Sequence, residues 1–263
     1  MLKRLLATSL FFLIICSAQE GNRNIPTITI DRDDALIVIR NLTPNSDGGR
    51  TLPNLQRCNE EFNLGIYYGP AGDNVETTTD DTKIISQVVV TETPKNEESG
   101  QQTRLEFYNE TLTFGRPPCI ESSEVVNENI RIEQGRSIIL GSRLFLEADA
   151  EIGDMEGPIS LERAAEGDSP ALNAESDALQ FNFDTEISTF SGNVKVTSED
   201  RVSTADEFEF DEANGIALMR GSPARSTQGS DFVQGEVIKY FLNNNDVVVV
   251  GGISGEFDVN LDE

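Results

Sequence analysis

The chain of 263 residues contains no histidine. That absence removes imidazole-based catalytic triads and histidine-ligated metal sites together. Cations are scarce too: 20 Lys and Arg stand against 46 Asp and Glu, a formal net charge of −26. Nucleic-acid binding depends on neutralising phosphates with basic side chains, so this balance argues against it. For most of the carboxylates, an acidic surface that keeps the chain dissolved is role enough. Long apolar runs are missing beyond the first segment. There, Lys3 and Arg4 precede an apolar stretch from Leu5 to Cys16, and polar Gln19 and Glu20 follow. Those are the three parts of a secretory signal peptide, and the stretch is shorter than the roughly 20 residues that span a bilayer. Cleavage after Ala18 is expected, making residues 1–18 the signal peptide and 19–263 the exported chain. The leader holds two bases and no acid, so its removal takes the net charge from −26 to −28. Lipid attachment at Cys16 is the competing reading, and the bulky Ile15 before it argues against that.

Cysteine is nearly absent as well. Of three, only Cys58 and Cys119 survive processing, and an isolated pair in an oxidising compartment is expected to form a disulfide. Closing a loop of that length stabilises by about 4 kcal/mol in the entropy picture. A catalytic thiol would need an activating partner, and no histidine is present to serve. Paired carboxylates can hydrolyse glycosides, but with 46 acids close pairs arise by accident. Asp31, Asp33 and Asp34 begin like a calcium loop, yet Leu36 occupies the sixth position, where that loop needs glycine. The expectation is therefore no enzyme, no resident metal and no cofactor.

What is present is a repeat. Four units share one template: a polar residue, alternating apolar positions, a turn-rich gap, and a glycine flanked by apolar residues two positions away on either side. They run through Ser142, Leu144, Leu146, Met155, Gly157 and Ile159; Asp177, Leu179, Phe181, Phe190, Gly192 and Val194; Asp206, Phe208, Phe210, Met219, Gly221 and Pro223; and Glu236, Ile238, Tyr240, Val249, Gly251 and Ile253. The polar residue precedes its glycine by 15 positions every time, and Pro223 alone breaks the apolar rule. At 37% hydrophobic content, chance would fill well under half of those apolar slots. A surplus falls in 163–174, which reads as a loop insertion between the first two units.

Each unit is predicted to be a β-hairpin. Apolar residues two apart share one face of a strand, and the polar residues between them face water. The gaps hold Asn and Gly, which accept the positive φ of tight turns. The return strand is expected to end at the glycine, at a bulge or corner. Helical periodicity is confined to a weak candidate at 160–165. The N-terminal part, 19–140, is β-rich but irregular: strands are expected at 27–31, 35–40, 83–93 and 103–114, with loops at 45–49, 69–81 and 94–102. One continuous β domain over 19–263, with the repeats at 141–259, is the simplest organisation.

The segments around Gly192-Asn193-Val194, Ala205-Asp206 and Phe210-Asp211 resemble the repeat of the LptA/OstA family of lipopolysaccharide-transport proteins, residue by residue. Gly235-Glu236, Tyr240 and Gly157-Pro158-Ile159 resemble it more loosely. The resemblance covers 140–257 and leaves the first 120 mature residues unmatched. It implies an all-β open β-jellyroll whose two antiparallel sheets enclose an apolar trough, in a periplasmic protein that shields the acyl chains of lipopolysaccharide or a related envelope lipid. It also implies partners in the inner-membrane exporter and outer-membrane translocon, with head-to-tail self-association through edge strands at 27–31 and 253–259.

On that reading the lipid groove is lined by Leu144, Leu146, Leu179, Phe181, Phe183, Phe190 and Val194. Phe208, Phe210, Met219, Ile238, Tyr240, Val247 and Val249 continue it. Burying acyl chain contributes about 0.8 kcal/mol per CH₂ without any charged contact. An apolar stripe is more commonly a closed core. The alternative function is accordingly a structural or adhesive β-solenoid of the envelope, with a filled interior and no ligand.

Overall fold

The computed structural model describes residues 27–31, 36–41, 54–56, 62–68, 74–79, 82–94, 104–109, 129–147, 152–167, 169–182, 185–243 and 246–256. Residues 1–18, read from the sequence as a signal peptide, and Cys58, Cys119 and Phe183 lie outside the described residues.

Among the described residues the chain forms strands only, and every strand pairing is antiparallel. The first eight are β1 (Thr27–Asp31), β2 (Leu36–Asn41), β3 (Asn54–Gln56), β4 (Phe62–Tyr68), β5 (Val75–Thr79), β6 (Thr82–Ser86), β7 (Val88–Pro94) and β8 (Arg104–Tyr108). Next come β9 (Ile130–Gln134), β10 (Ser137–Gly141) and β11 (Arg143–Glu147). Long strands follow: β12 (Ile152–Arg163), β13 (Leu172–Asn182), β14 (Ile187–Ser198), β15 (Arg201–Asp211), β16 (Ile216–Gln228) and β17 (Asp231–Phe241). Short β18 (Asp246–Val250) and β19 (Ser254–Glu256) end the described chain.

The ladder forks at β12. Its first half pairs with β11 and its second half with β10. Upstream of the fork, β11 leads through β8, β7 and β4 to β3, while β10 leads through β9, β6, β5 and β2 to β1. Downstream, each of β12 to β16 breaks register with its successor at one point in its middle. Each long strand therefore serves two sheets. The first sheet runs from β3 to β18 and the second from β1 to β19, joined along the row of corners. Hairpin turns of both sheets lie at the opposite ends of the strands. This is an open β-jellyroll.

The 15-residue spacing of the repeat is the chemistry of those corners. Ser142 donates its hydroxyl to the carbonyl of Gly157 at 2.9 Å. Asp177 accepts from the side-chain amide of Asn193, the residue after Gly192, at 2.7 Å. Asp206 accepts from the backbone N–H of Ser222, next to Gly221, at 3.2 Å. Glu236 donates its backbone N–H to the carbonyl of Gly251 at 2.9 Å. A bulge leaves ladder groups unpaired, and in each unit the polar residue of one strand binds the corner of the next. Glycine is required where strands approach: a Cβ on Gly157 would sit 2.1 Å from the carbonyl oxygen of Asp177. Gly192 combines φ +75° with a similar crowding against Asp177.

The corners also re-aim the side chains. In β15 the inward residues are Ser203 before the corner and Phe208 and Phe210 after it, a change of phase that the irregularity supplies. In β16 the corner is longer, so Ala224 takes the buried slot that the template assigned to Pro223, which is exposed.

Several sequence expectations change. Three of the four return strands do not end at their glycines: β12, β14 and β16 pass through them and bend, whereas β18 stops at Val250, just before Gly251. Residues 160–163, part of the weak helical candidate, are the end of β12, held between β10 and β13. The expected loop 69–81 contains β5, whose threonines are sandwiched between β2 and β6. The expected strand 83–93 is two strands broken at Gln87, whose backbone N–H turns aside to Asn109 Oδ1 at 2.7 Å. Within 103–114 the strand covers Arg104–Tyr108.

Candidate functional site

The inner face of the first sheet is built from two neighbouring cross-strand rows. One runs Tyr67, Val89, Phe107, Leu144, Met155, Leu179, Phe190, Phe208, Met219, Ile238 and Val249, each directly opposite the next. All are apolar or aromatic, as adjacent pairs on one face of a sheet favour. The neighbouring row alternates large and small: Leu146, Gly153, Phe181, Ser188, Phe210, Ala217, Tyr240 and Val247. An aromatic ring thus leans over a small neighbour at each step, and Phe190, Phe208 and Phe210 form a tilted chain with centroids 5.5 and 6.0 Å apart.

Twelve of the fourteen groove candidates stand on these two rows. Leu144, Leu146, Leu179, Phe181, Phe190, Phe208, Phe210, Met219, Ile238 and Tyr240 are buried, and Val247 and Val249 are partly buried. Val194 is buried too, but it belongs to the second sheet. Phe183 is outside the described residues. The stripe therefore points inward, and over most of its length its own side chains fill the space between the sheets.

The second sheet was not legible as a site. Its central inward row starts with Ile39, Thr77, Ile84, Ile132, Ile139 and Leu161, then continues as Ala174, Val196, Ser203, Ser226 and Val233. Bulk falls away along the row. Above the small stretch lie two cavities bounded by both sheets. A cavity of about 310 Å³ is lined by Ser226, Phe232 and Val233 from the second sheet and by Val247 and Val249 from the first, with Arg201 and Asp231 at its polar rim. A smaller one of about 30 Å³ lies between Leu172, Val196 and Ser203 below and Phe208, Ala217 and Tyr240 above. The larger falls at the low end of the size range for small-molecule sites. Ser203 bonds to the Tyr240 hydroxyl at 2.6 Å and to Ser226 at 3.1 Å, so these buried hydroxyls satisfy one another across the interior.

A signal for this row exists in the sequence: Ala174, Ser203 and Val233 each stand three residues before the template's polar position. Apolar counting passes over serine and alanine, so they go unnoticed.

The electrostatics divide inside from outside. Burial raises the Tyr67 phenol above its ordinary value, with the Thr91 hydrogen bond opposing, so it stays neutral. On the outer face Glu106, half-buried under Arg143, is also raised by burial, against the hydrogen bond from Arg143. Outer-face pairs such as Lys83 with Glu133 at 2.7 Å and Arg220 with Glu207 at 2.8 Å join neighbouring strands. Among the described residues no group of three or more Cys, Asp or Glu is placed to hold a metal ion.

Comparison with known proteins gives a match across the repeats. A family model described as LptA/(LptD N-terminal domain) LPS transport protein matches residues 120–246. No curated protein matches. Among solved structures the chain is similar to LptH of Pseudomonas aeruginosa, described as the LptA-homologous periplasmic component of the conserved lipopolysaccharide transport device. The identity is 11% and the TM-score 0.33, over 68% of this chain and 95% of that one. The family match spans the repeats, so residues 120–246 carry a domain similar to the LptA/(LptD N-terminal domain) LPS transport proteins.

Proposed function

We propose that this protein is a periplasmic carrier that shields the acyl chains of lipopolysaccharide or a related envelope lipid on the way between the inner and outer membranes. It would be exported by residues 1–18 and fold as a single β-jellyroll domain over 19–263. The observation that carries this reading is the interlayer cavity over Ser226 and Val233, faced by Val247 and Val249 at the C-terminal end of the apolar rows. A chain with a net charge of −26 offers little to an anionic headgroup, so affinity comes from acyl burial, about 0.8 kcal/mol per CH₂. Transport through such an interior needs no catalytic group.

The ends of the sheets suit a bridging role. Among the described residues β1 pairs only with β2, and β18 and β19 pair only with β17. Val248, Val250 and Ile253 at the C-terminal edge are 47%, 56% and 64% exposed. Unpaired edges of this kind accept a further strand, from a second copy or from exporter and translocon components.

A second reading, a structural or adhesive envelope protein without ligand, is favoured by one observation: Leu144, Phe190, Phe208, Met219 and Ile238 are each 0% exposed. Native mass spectrometry of the protein taken from membranes separates the two. The carrier reading expects co-purified acylated lipid in the wild type and its loss in Val249→Glu, which puts a charge on the cavity wall. A wild type free of lipid leaves the structural reading.

A further inference from the structure

The insertion at 163–174, which lengthens the spacing between the first two units, lies at the free edge of the jellyroll, opposite the corners. Arg163 is the last residue of β12, in the second sheet, and its side chain is 1% exposed. It donates Nε to Glu212 Oε2 at 2.6 Å, and Nη1 to Ser169 Oγ at 3.0 Å and to the carbonyl of Pro170 at 3.2 Å. Arg136, in the turn between β9 and β10 of the same sheet, donates Nε to the other oxygen of Glu212 at 2.9 Å. Glu212 belongs to the first sheet, in the turn between β15 and β16. Ser169 then donates its hydroxyl to the carbonyl of Leu242, in the turn between β17 and β18, at 2.7 Å. Leu242 in turn donates its N–H to Gly215 at 2.9 Å, tying the two first-sheet turns together.

One carboxylate thus holds two arginines of the facing sheet, and the inserted loop reaches across to a neighbouring turn. These bonds join the two lips where the jellyroll would otherwise gape. The smaller cavity lies directly behind them, since Arg163, Pro170 and Leu242 belong to its wall together with Phe208 and Tyr240. A tie made of charge-assisted hydrogen bonds is directional, and it is lost as a unit when its shared acceptor leaves. Glu212 sits in an exposed turn with its side chain 31% exposed, so water can take over its bonds.

We propose that Arg136, Arg163, Glu212 and Ser169 form a releasable clasp over the free edge, and that its opening is the lateral route by which an apolar guest reaches the interlayer space. The proposal rests on the carrier reading only for the nature of the guest. Release of Glu212 lets the first-sheet turns lift away from the inserted loop while the corner edge holds both sheets. The chain can then admit an acyl chain from the side, in addition to passing one along its axis.

Hydrogen exchange on the mature chain, compared with uptake of the neutral probe N-phenyl-1-naphthylamine, tests this. The Ala164 and Leu242 amides, bonded to Arg136 and Gly215, are expected to exchange at least tenfold faster in Glu212→Gln, while amides of β8 and β9 keep their wild-type rates. The probe is expected to enter that variant at least tenfold faster, with the amount bound at equilibrium unchanged. Arg136→Gln, which leaves the Arg163–Glu212 contact in place, should show smaller increases of about threefold, and it decides the matter if Glu212→Gln does not fold. Unchanged exchange at both amides overturns the clasp, and faster exchange with unchanged probe entry overturns its role as a route. If neither wild type nor variant binds probe or lipid, the carrier reading falls, and the exchange result alone decides whether the clasp opens.

Discussion

The two ends of the second sheet share one fold and differ in what they put inside. Toward the N-terminus, the floor is Ile39, Ile84, Ile132, Ile139 and Leu161, all buried, set against Val89, Phe107 and Leu144 of the facing sheet. Toward the C-terminus it is Ala174, Val196, Ser203, Ser226 and Val233, while the facing sheet keeps its full complement of Phe208, Phe210 and Tyr240. Sheet separation is set by backbone and by the larger side chains of both faces, so shrinking one floor without enlarging the opposite wall leaves volume. The same architecture is thus a packed core at one end and bounds the two cavities, the proposed vessel, at the other. Composition of a single row makes the difference.

The contrast can be broken most forcefully at the wall that both ends depend on. Phe208 is fully buried between Phe190 and Phe210. Phe208→Ala is expected to destabilise by about 3–5 kcal/mol, read by urea denaturation, and to disorder the vessel with the core. At the packed end, Ile132→Ala should cost about 2–5 kcal/mol yet leave binding of an apolar probe unchanged; lost probe binding there would mean that the ends are not separate. Ser226→Val addresses the vessel alone. It forfeits the hydrogen bond with Ser203, worth about 1 kcal/mol, while filling space, so stability should hold within roughly that amount as probe affinity falls at least fivefold.

The smallest effect lies on the outside. Glu133 is held below the usual carboxylate range by hydrogen bonds from Lys83 and Arg131. A lowered folded-state value contributes stability above the unfolded value and loses it as pH falls through the folded one. Glu133→Gln is therefore expected to destabilise by under about 1 kcal/mol at pH 7, with the difference from wild type vanishing on acidification. A deficit that persists at low pH would assign Glu133 a packing role.

Much of this was legible in advance. The alternation in β13 to β17 is strong because one face of each strand is buried and the other is solvated. The 15-residue offset between Asp177 and Gly192 is visible because a corner needs both a residue without Cβ and a polar partner. In the N-terminal part the signal weakens. β5 reads as a polar loop, since Glu76 and three threonines conceal a strand sandwiched between two others, and the break at Gln87 depends on Asn109, 22 residues away. The apolar half of the candidate site was visible in the spacing, and its reading as a groove came from the family resemblance. Its serine floor was not visible, because a small residue becomes informative only when the thing it fails to touch is known.

By itself, then, the sequence settled that the repeats are built of hairpins, where their long strands bend, and which of their large apolar side chains turn inward, all matters of local period and backbone sterics. Only the tertiary structure decided that each strand is shared between two sheets, that Ser203 and Ser226 lie beneath Tyr240 and Val249, and that Glu212 meets Arg163 and Arg136. Those are encounters between residues tens of positions apart. Which of them meet depends on the number and register of the strands between, and no local pattern carries that information.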